Sequence, residues 1–236
     1  MDVRAVIKRL KELGDPKNVE GMARFGIKPK ACYGVVVPEI RALAKRIGKD
    51  HELALKLWAI DTRETRILAS MIDDVAQVTE EQMEAWVKDF DYWEIVDQVV
   101  MNVFGWTPFA YKKAIEWCDR EPEFERRTAF VLMARLALQE KNAEDLYFEP
   151  FFPLIVEASS DDRAGVKKAV NWALRQIGKR NLSLNKKALE IAHKIRKMDS
   201  PSAKWIAADA IRELEDPKIL KTVEKRDTSL KKAIQK

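Results

Sequence analysis

Trp93 and Asp97 are the residues best placed for chemistry. They lie in the stretch Asp91-Tyr92-Trp93-Glu94-Ile95-Val96-Asp97-Gln98-Val99-Val100. Four residues apart, they stack on one side of a helix. Val96, Val99, Val100 and Val103 recur at helical period and define its buried face. At 100° per residue, Asp97 falls about 100° from the middle of that face, on the rim of the core. A carboxylate fixed there can stabilise a cation and orient a water, and an aromatic face adds cation–π attraction. Taken alone, the stretch reads first as a plain helix start. Asp91 is the expected cap, Glu94 has capping-box spacing, and Asp97 is a second-turn acid that favours the helix N-terminus.

A second chemical feature is cationic. Between Arg163 and Lys197 stand eleven Lys/Arg and one acid, Glu190. The expected helix from Asp162 to about Arg180 buries Val166, Val170, Ala173 and Ile177. Lys168, Trp172, Arg175 and Lys179 fall on roughly the opposite face. A large ring among cations suits a phosphate backbone with a sugar or base packed on it. The alternative is a tryptophan packed against the next helix pair. In Phe124-Glu125-Arg126-Arg127-Thr128-Ala129-Phe130, one arginine is expected to face a groove and the other solvent. Lys167, Arg180 and Arg127 complete the cationic set, and for Arg127 a surface arginine is the competing reading.

These side chains need a scaffold, and the chain of 236 residues offers helices for it. It is 47% hydrophobic and 34% charged with only 8 glycines, which disfavours a fold rich in tight β-turns. Helix starts are expected near Pro38, Thr62, Asp91, Phe124, Asp162 and Ser200, a spacing of roughly 30 to 40 residues without a crisp repeat. Asp61 with Glu64 and Thr79 with Gln82 have capping-box spacing. Thr107-Pro108, Ser200-Pro201 and Asp216-Pro217 have the cap-then-proline form. Gly14-Asp15-Pro16 and Gly48 read as breaks. No strand pattern of convincing length is present. The expectation is an all-α chain of stacked antiparallel helix pairs, a curved HEAT-like or ARM-like superhelical solenoid, in one domain over residues 1–236.

Composition narrows the function classes. No apolar run reaches the ~18 residues of a membrane span, and the N-terminus lacks the apolar core of a signal peptide. Cys32 and Cys118 are then expected as free thiols in a cytoplasmic protein. His51 and His193, the only histidines, sit among charged residues, so catalysis by a histidine cluster is disfavoured. No metal-ligand spacing occurs, and neither metal nor cofactor is expected. The net charge of +5 and pI near 9.0 point to an acidic partner, nucleic acid first.

Three spaced pieces, Trp93-x-x-x-Asp97, Arg127-Thr128-Ala129 and Lys167-Lys168-Ala169-Val170-Asn171-Trp172-Ala173-Leu174-Arg175, resemble the DNA alkylation repair family of HEAT-like-repeat alkylpurine DNA glycosylases. Met22-Ala23-Arg24 and the segment from Gly34 to Arg41 are similar too, so the resemblance runs from about Met22 to Glu213. It implies a glycosylase that hydrolyses the N-glycosidic bond of N3- or N7-alkylated purines in duplex DNA; with no lysine nucleophile to single out, a monofunctional enzyme is expected, acting as a monomer. It makes Asp97 the catalytic aspartate and places Trp93 and Trp172 around the damaged nucleotide's sugar. Arg127 becomes a backbone contact beside Lys167, Lys168, Arg175, Lys179 and Arg180. Trp93, Asp97, Arg127, Trp172 and Arg175 are expected on one concave surface. Two departures stand out: Val36, where a relative can carry a polar side chain, and Ala164-Gly165, where bulkier residues can precede the tryptophan helix. The competing classes are a non-catalytic helical-repeat nucleic-acid binder and a protein-interaction scaffold.

Overall fold

The computed structural model describes the backbone of residues 1–234 and side chains through Asp227, and among these residues there is no strand. In chain order the α-helices are α1 (Val3–Glu12), α2 (Pro16–Arg24), α3 (Val37–Ile47), α4 (His51–Trp58), α5 (Arg63–Ile72), α6 (Glu80–Lys88), α7 (Trp93–Asn102), α8 (Ala110–Glu116), α9 (Glu123–Gln139), α10 (Phe151–Ala158), α11 (Ala164–Gly178), α12 (Leu182–Arg196), α13 (Pro201–Leu214) and α14 (Pro217–Ile234). Short 3₁₀ turns join several of them. The residues gather into two compact units, Met1–Ala110 and the remainder from Tyr111 onward.

Each unit is built around a helix buried on nearly all sides. In the first it is α5, nine of whose ten residues are buried, all but Met71. In the second it is α9, buried from Arg127 through Ala134, which packs mainly on α11. From Ala129 to Ala134 α9 is apolar all round, whereas α5 buries the charged side chains of Arg63, Glu64 and Arg66 along with its apolar residues. Consecutive helices joined by a few residues, such as α11 to α12 and α12 to α13, pack on each other and so reverse direction.

Side-chain bonds between equivalent helices expose the repeat. In the first unit Arg63 reaches Glu94 and Trp58 reaches Asp89, each 31 residues on, and Asn102 reaches back 32 residues to Ser70. In the second, Arg127 reaches Gly165, Asn171 reaches Asp209 and Arg175 reaches Glu213, each 38 residues on. The step differs between the units, which is why the sequence shows no crisp period.

Most punctuation expected from the sequence is present. Gly48 ends α3 at φ 80°, Thr79 caps α6, Ser200 caps α13 ahead of Pro201, and Asp216 accepts from the Lys218 N–H at the start of α14. Three expectations need correction. Asp91 does not cap α7: the cap position is Tyr92, with no side-chain cap bond, because Glu94 is drawn inward by Arg63 rather than back to the helix start. Thr62, not Asp61, caps α5, in a box with Thr65, while Asp61 stands outside the helix at φ 57°. Thr107 closes the preceding 3₁₀ turn by donating to the Phe104 carbonyl, so α8 starts at Ala110.

Candidate nucleic-acid interface

In the first unit α7 carries the candidate chemistry. Val96, Val99, Val100 and Val103 are fully buried, as the periodicity requires. Trp93, Asp97 and Met101 form a half-buried stripe along one side, so the Asp97 carboxylate does stand at the rim of the core. The Trp93 ring is anchored by its Nε1, which donates to the Phe25 carbonyl at 2.9 Å.

A buried charge network fixes the first turn of α7. Arg63 is 2% exposed and donates from Nε and Nη2 to both Glu94 oxygens at 2.7 Å, a bidentate fork. Its Nη1 also donates to the Val35 carbonyl at 2.8 Å. Glu64, fully buried, accepts from the backbone N–H groups of Tyr33, Gly34 and Val35 at 2.9 to 3.2 Å. Gly34 is at φ +80°, and a Cβ there would lie 2.1 Å from the Asp15 carbonyl oxygen. The loop before α3 is thus locked to α5 and α7, and it presents Val36 exposed at the first turn of α3. Sequence reading missed Arg63, Glu64 and Glu94. Glu94 and Glu64 read as capping-box acids and Arg63 carried no reading; only the 31-residue step could have paired Arg63 with Glu94.

In the second unit α9, α11 and α13 carry the cationic set. Arg127 is buried and its Nη1 donates to the Gly165 carbonyl at 2.7 Å, while Arg126 pairs with Asp161. Glu123 accepts from the Gly165 N–H at 2.7 Å, satisfying a donor in the first turn of α11. A Cβ on Gly165 would meet that carboxylate at 2.6 Å, so the small residue in place of a bulkier one follows from the close approach of Glu123.

The buried stripe of α11 is as expected, with Val166, Val170, Ala173 and Ile177 fully inside. Trp172 is half-buried, Lys168 is exposed, and Lys167 lies over the exposed Trp205 ring at 5.2 Å. With the Gln176 amide oxygen turned toward it, the Trp172 Nε1 donates at 3.0 Å. The expected excess of unpaired positive charge is reduced by α13. Arg175 and Lys179 both bond Glu213, Arg175 also approaches Asp209 at 3.6 Å, and the buried Asn171 donates to Asp209 at 2.7 Å. These acids lie beyond Lys197 in sequence and so escaped a local count. Arg180 is spent on backbone, donating to the carbonyls of Ala137, Glu140 and Ala143 and lying over the Phe148 ring at 4.0 Å.

The remaining reactive groups are quiet. Burial, helped by Glu64, pushes the Cys32 thiol up to about 11, and burial pushes Cys118 up to about 12, so neither is a thiolate at neutral pH. His51 is held by Asp73 at 2.6 Å, and His193 is exposed. Among the described residues no cluster of three potential metal ligands occurs, and no helix is long and apolar enough to cross a membrane.

Comparison with one solved structure gives the same fold. The chain is 20% identical to a protein described as belonging to "a new family of proteins related to the HEAT-like repeat DNA glycosylases with affinity for branched DNA structures". The superposition covers 90% of this chain and 95% of that one at a TM-score of 0.73. A designed armadillo repeat protein is 15% identical over 75% of this chain and 92% of its own, at a TM-score of 0.37. No curated protein matches in sequence. The model of the family described as "DNA alkylation repair enzyme" matches residues 6–214. With that match spanning well over half of its length, the chain belongs to the DNA alkylation repair enzyme family.

Proposed function

We propose that the protein is a single HEAT-like-repeat domain that binds duplex DNA and hydrolyses the N-glycosidic bond of N3- or N7-alkylated purines, acting as a monomer without cofactor. Membership of the family supports the reaction class, and the half-buried Trp93–Asp97 stripe on α7 is the observation that carries the assignment. A purine alkylated at N3 or N7 is cationic and leaves without a general acid. What the protein must supply is stabilisation of an oxocarbenium-like sugar and a positioned water. Asp97 supplies the negative charge and orients the water; Trp93 and Trp172 supply aromatic faces to the sugar. Lys167 and Lys168 contact phosphates directly. Arg175 and Lys179 do so in competition with Glu213, while Arg127, buried on the Gly165 carbonyl, and Arg180, spent on three carbonyls of the protein, support that face from within.

The test is single-turnover release of 7-methylguanine from duplex DNA at saturating enzyme. Asp97→Asn keeps size and polarity but removes the charge, and is expected to slow release about 10²- to 10³-fold, the effect of losing about 3 to 4 kcal/mol of preorganised electrostatic stabilisation. DNA binding should change little. Equal rates for the two proteins exclude Asp97 as the catalytic carboxylate. The similar protein's affinity for branched DNA favours a second reading, a structure-selective DNA binder without catalysis. That reading gains if wild type releases no base yet binds a four-way junction more tightly than a duplex.

A further inference from the structure

Where α9 and α11 end, the second unit has a cationic depression of about 530 Å³. Leu138 and Gln176 line it from those helices, Lys141 from the turn after α9, Asn181 from the cap of α12 and Arg226 from α14. No carboxylate stands among its described lining residues. Lys141 is exposed, and among the described residues no acid pairs with it. Arg226 is exposed too, but aimed, because its Nη1 donates to the Lys179 carbonyl at 2.8 Å. Arg180 also lines the depression, with its Nη groups spent on three carbonyls and its buried Nε without a hydrogen-bond partner. Burial holds the Arg180 guanidinium below its ordinary value; Asp145 and Glu140 oppose that, and the like charge of Arg226 reinforces it. Asp145 is itself engaged by the Asn181 amide at 2.6 Å. Two guanidiniums that repel each other beside a lysine, with no acid lining the space they share, favour an anion there.

We propose that this depression seats a backbone phosphate of the bound DNA, held by Lys141 and Arg226, with Arg180 behind them. Continuity with the proposed site selects a DNA strand over another anion. Gln176 lines the depression, and its amide oxygen accepts from the Trp172 Nε1 at 3.0 Å. The depression therefore begins one turn of α11 beyond the ring assigned to the sugar of the attacked nucleotide. Four residues of helix rise about 6 Å, less than two nucleotides of a strand at ~3.4 Å each, so a neighbouring phosphate of that nucleotide comes within reach. The cap of α12 adds the positive end of its helix dipole to the same wall. Such a contact carries affinity and register without reading sequence. The inference rests on the DNA-binding reading.

The experiment measures binding of the whole protein to a fluorescein-labelled duplex by fluorescence anisotropy, between 50 and about 200 mM salt. Each phosphate contact contributes about one unit to the log–log salt slope. Lys141→Ala should make the slope shallower by about one unit, and Lys141→Ala with Arg226→Ala by about two. Arg226→Lys keeps the charge and should keep the wild-type slope. Lys141 lies outside the helices, so its variant tests the seat even if the loss of Arg226 loosens α14. Lys187→Ala removes an equal charge elsewhere in the unit, beside Glu149 at 2.7 Å, and should leave the slope unchanged. A wild-type slope in Lys141→Ala and in the double variant overturns the inference while duplex binding still stands. So does an equal loss of slope in Lys187→Ala, which would trace the effect to net charge. If inorganic phosphate raises the melting temperature of wild type but not of the double variant, and their slopes agree, the seat belongs to free phosphate and the inference fails. Absence of duplex binding by wild type overturns the DNA-binding reading and this inference together.

Discussion

Glu213 decides how much of the basic face of α11 is free. Burial would raise its carboxyl, but hydrogen bonds from Lys179 and Arg175 outweigh that and hold it below its ordinary 4.5. A carboxylate depressed in the folded state stabilises above its unfolded pKa, and that contribution is lost as pH falls through the folded value. Wild type should therefore lose melting temperature between about pH 5 and pH 3 more steeply than Glu213→Gln, measured by circular dichroism. The same substitution releases two cations. Glu213→Gln should bind duplex DNA more tightly at low salt, with a log–log salt slope up to about two units steeper. Weaker binding by the variant would mean instead that Glu213 aims Arg175 and Lys179 at the phosphates.

Among the elements, α7 shows both how far the sequence reaches and where it stops. Its buried valines and the rim position of Asp97 follow from a 3.6-residue period and are present as expected. Its first turn was not legible, because Glu94 answers to Arg63 one repeat away rather than to its own backbone. Asp61 misled for a similar reason: its spacing to Glu64 suggested a box, but Glu64 serves the N–H groups around Gly34. Local rules read caps and stripes; they do not read side chains recruited across a repeat. The network has a measurable weight. Arg63→Ala leaves Glu64 and Glu94 buried without their cation and should destabilise the first unit by about 3 to 5 kcal/mol in urea unfolding. Arg63→Lys should recover only part of that, since an ammonium cannot reproduce the fork. Gly34→Ala should cost about 1 to 3 kcal/mol for the positive φ alone, with the Asp15 carbonyl adding to it. A neutral Arg63→Ala would show that the network is not what holds the loop and the α7 start.

For the molecule as a whole, the helical class, the helix starts and the family were legible, since they rest on periodicity and on spaced motifs. Charge was legible only as a sum. The stretch from Arg163 to Lys197 looked nearly free of acids, yet Asp209 and Glu213 return to it from α13. Binding should still be electrostatic, because Lys167 and Lys168 remain available. Duplex affinity should fall steeply between 50 and about 200 mM salt, and Lys168→Glu should weaken it with little sequence dependence. Whether the aromatic residues of the two units serve one nucleotide is a question of energetic coupling. If Trp93 and Trp172 both pack on the sugar of the attacked nucleotide, removing one deprives the other of part of its effect. Trp93→Ala and Trp172→Ala should each slow single-turnover release of 7-methylguanine. The double variant should then be faster than the product of the two single effects predicts, with an interaction energy of about 0.5 to 3 kcal/mol. Effects that multiply within experimental error would assign the two tryptophans to separate contacts, and Trp172 would pass from the sugar to the phosphate-binding set beside Lys168.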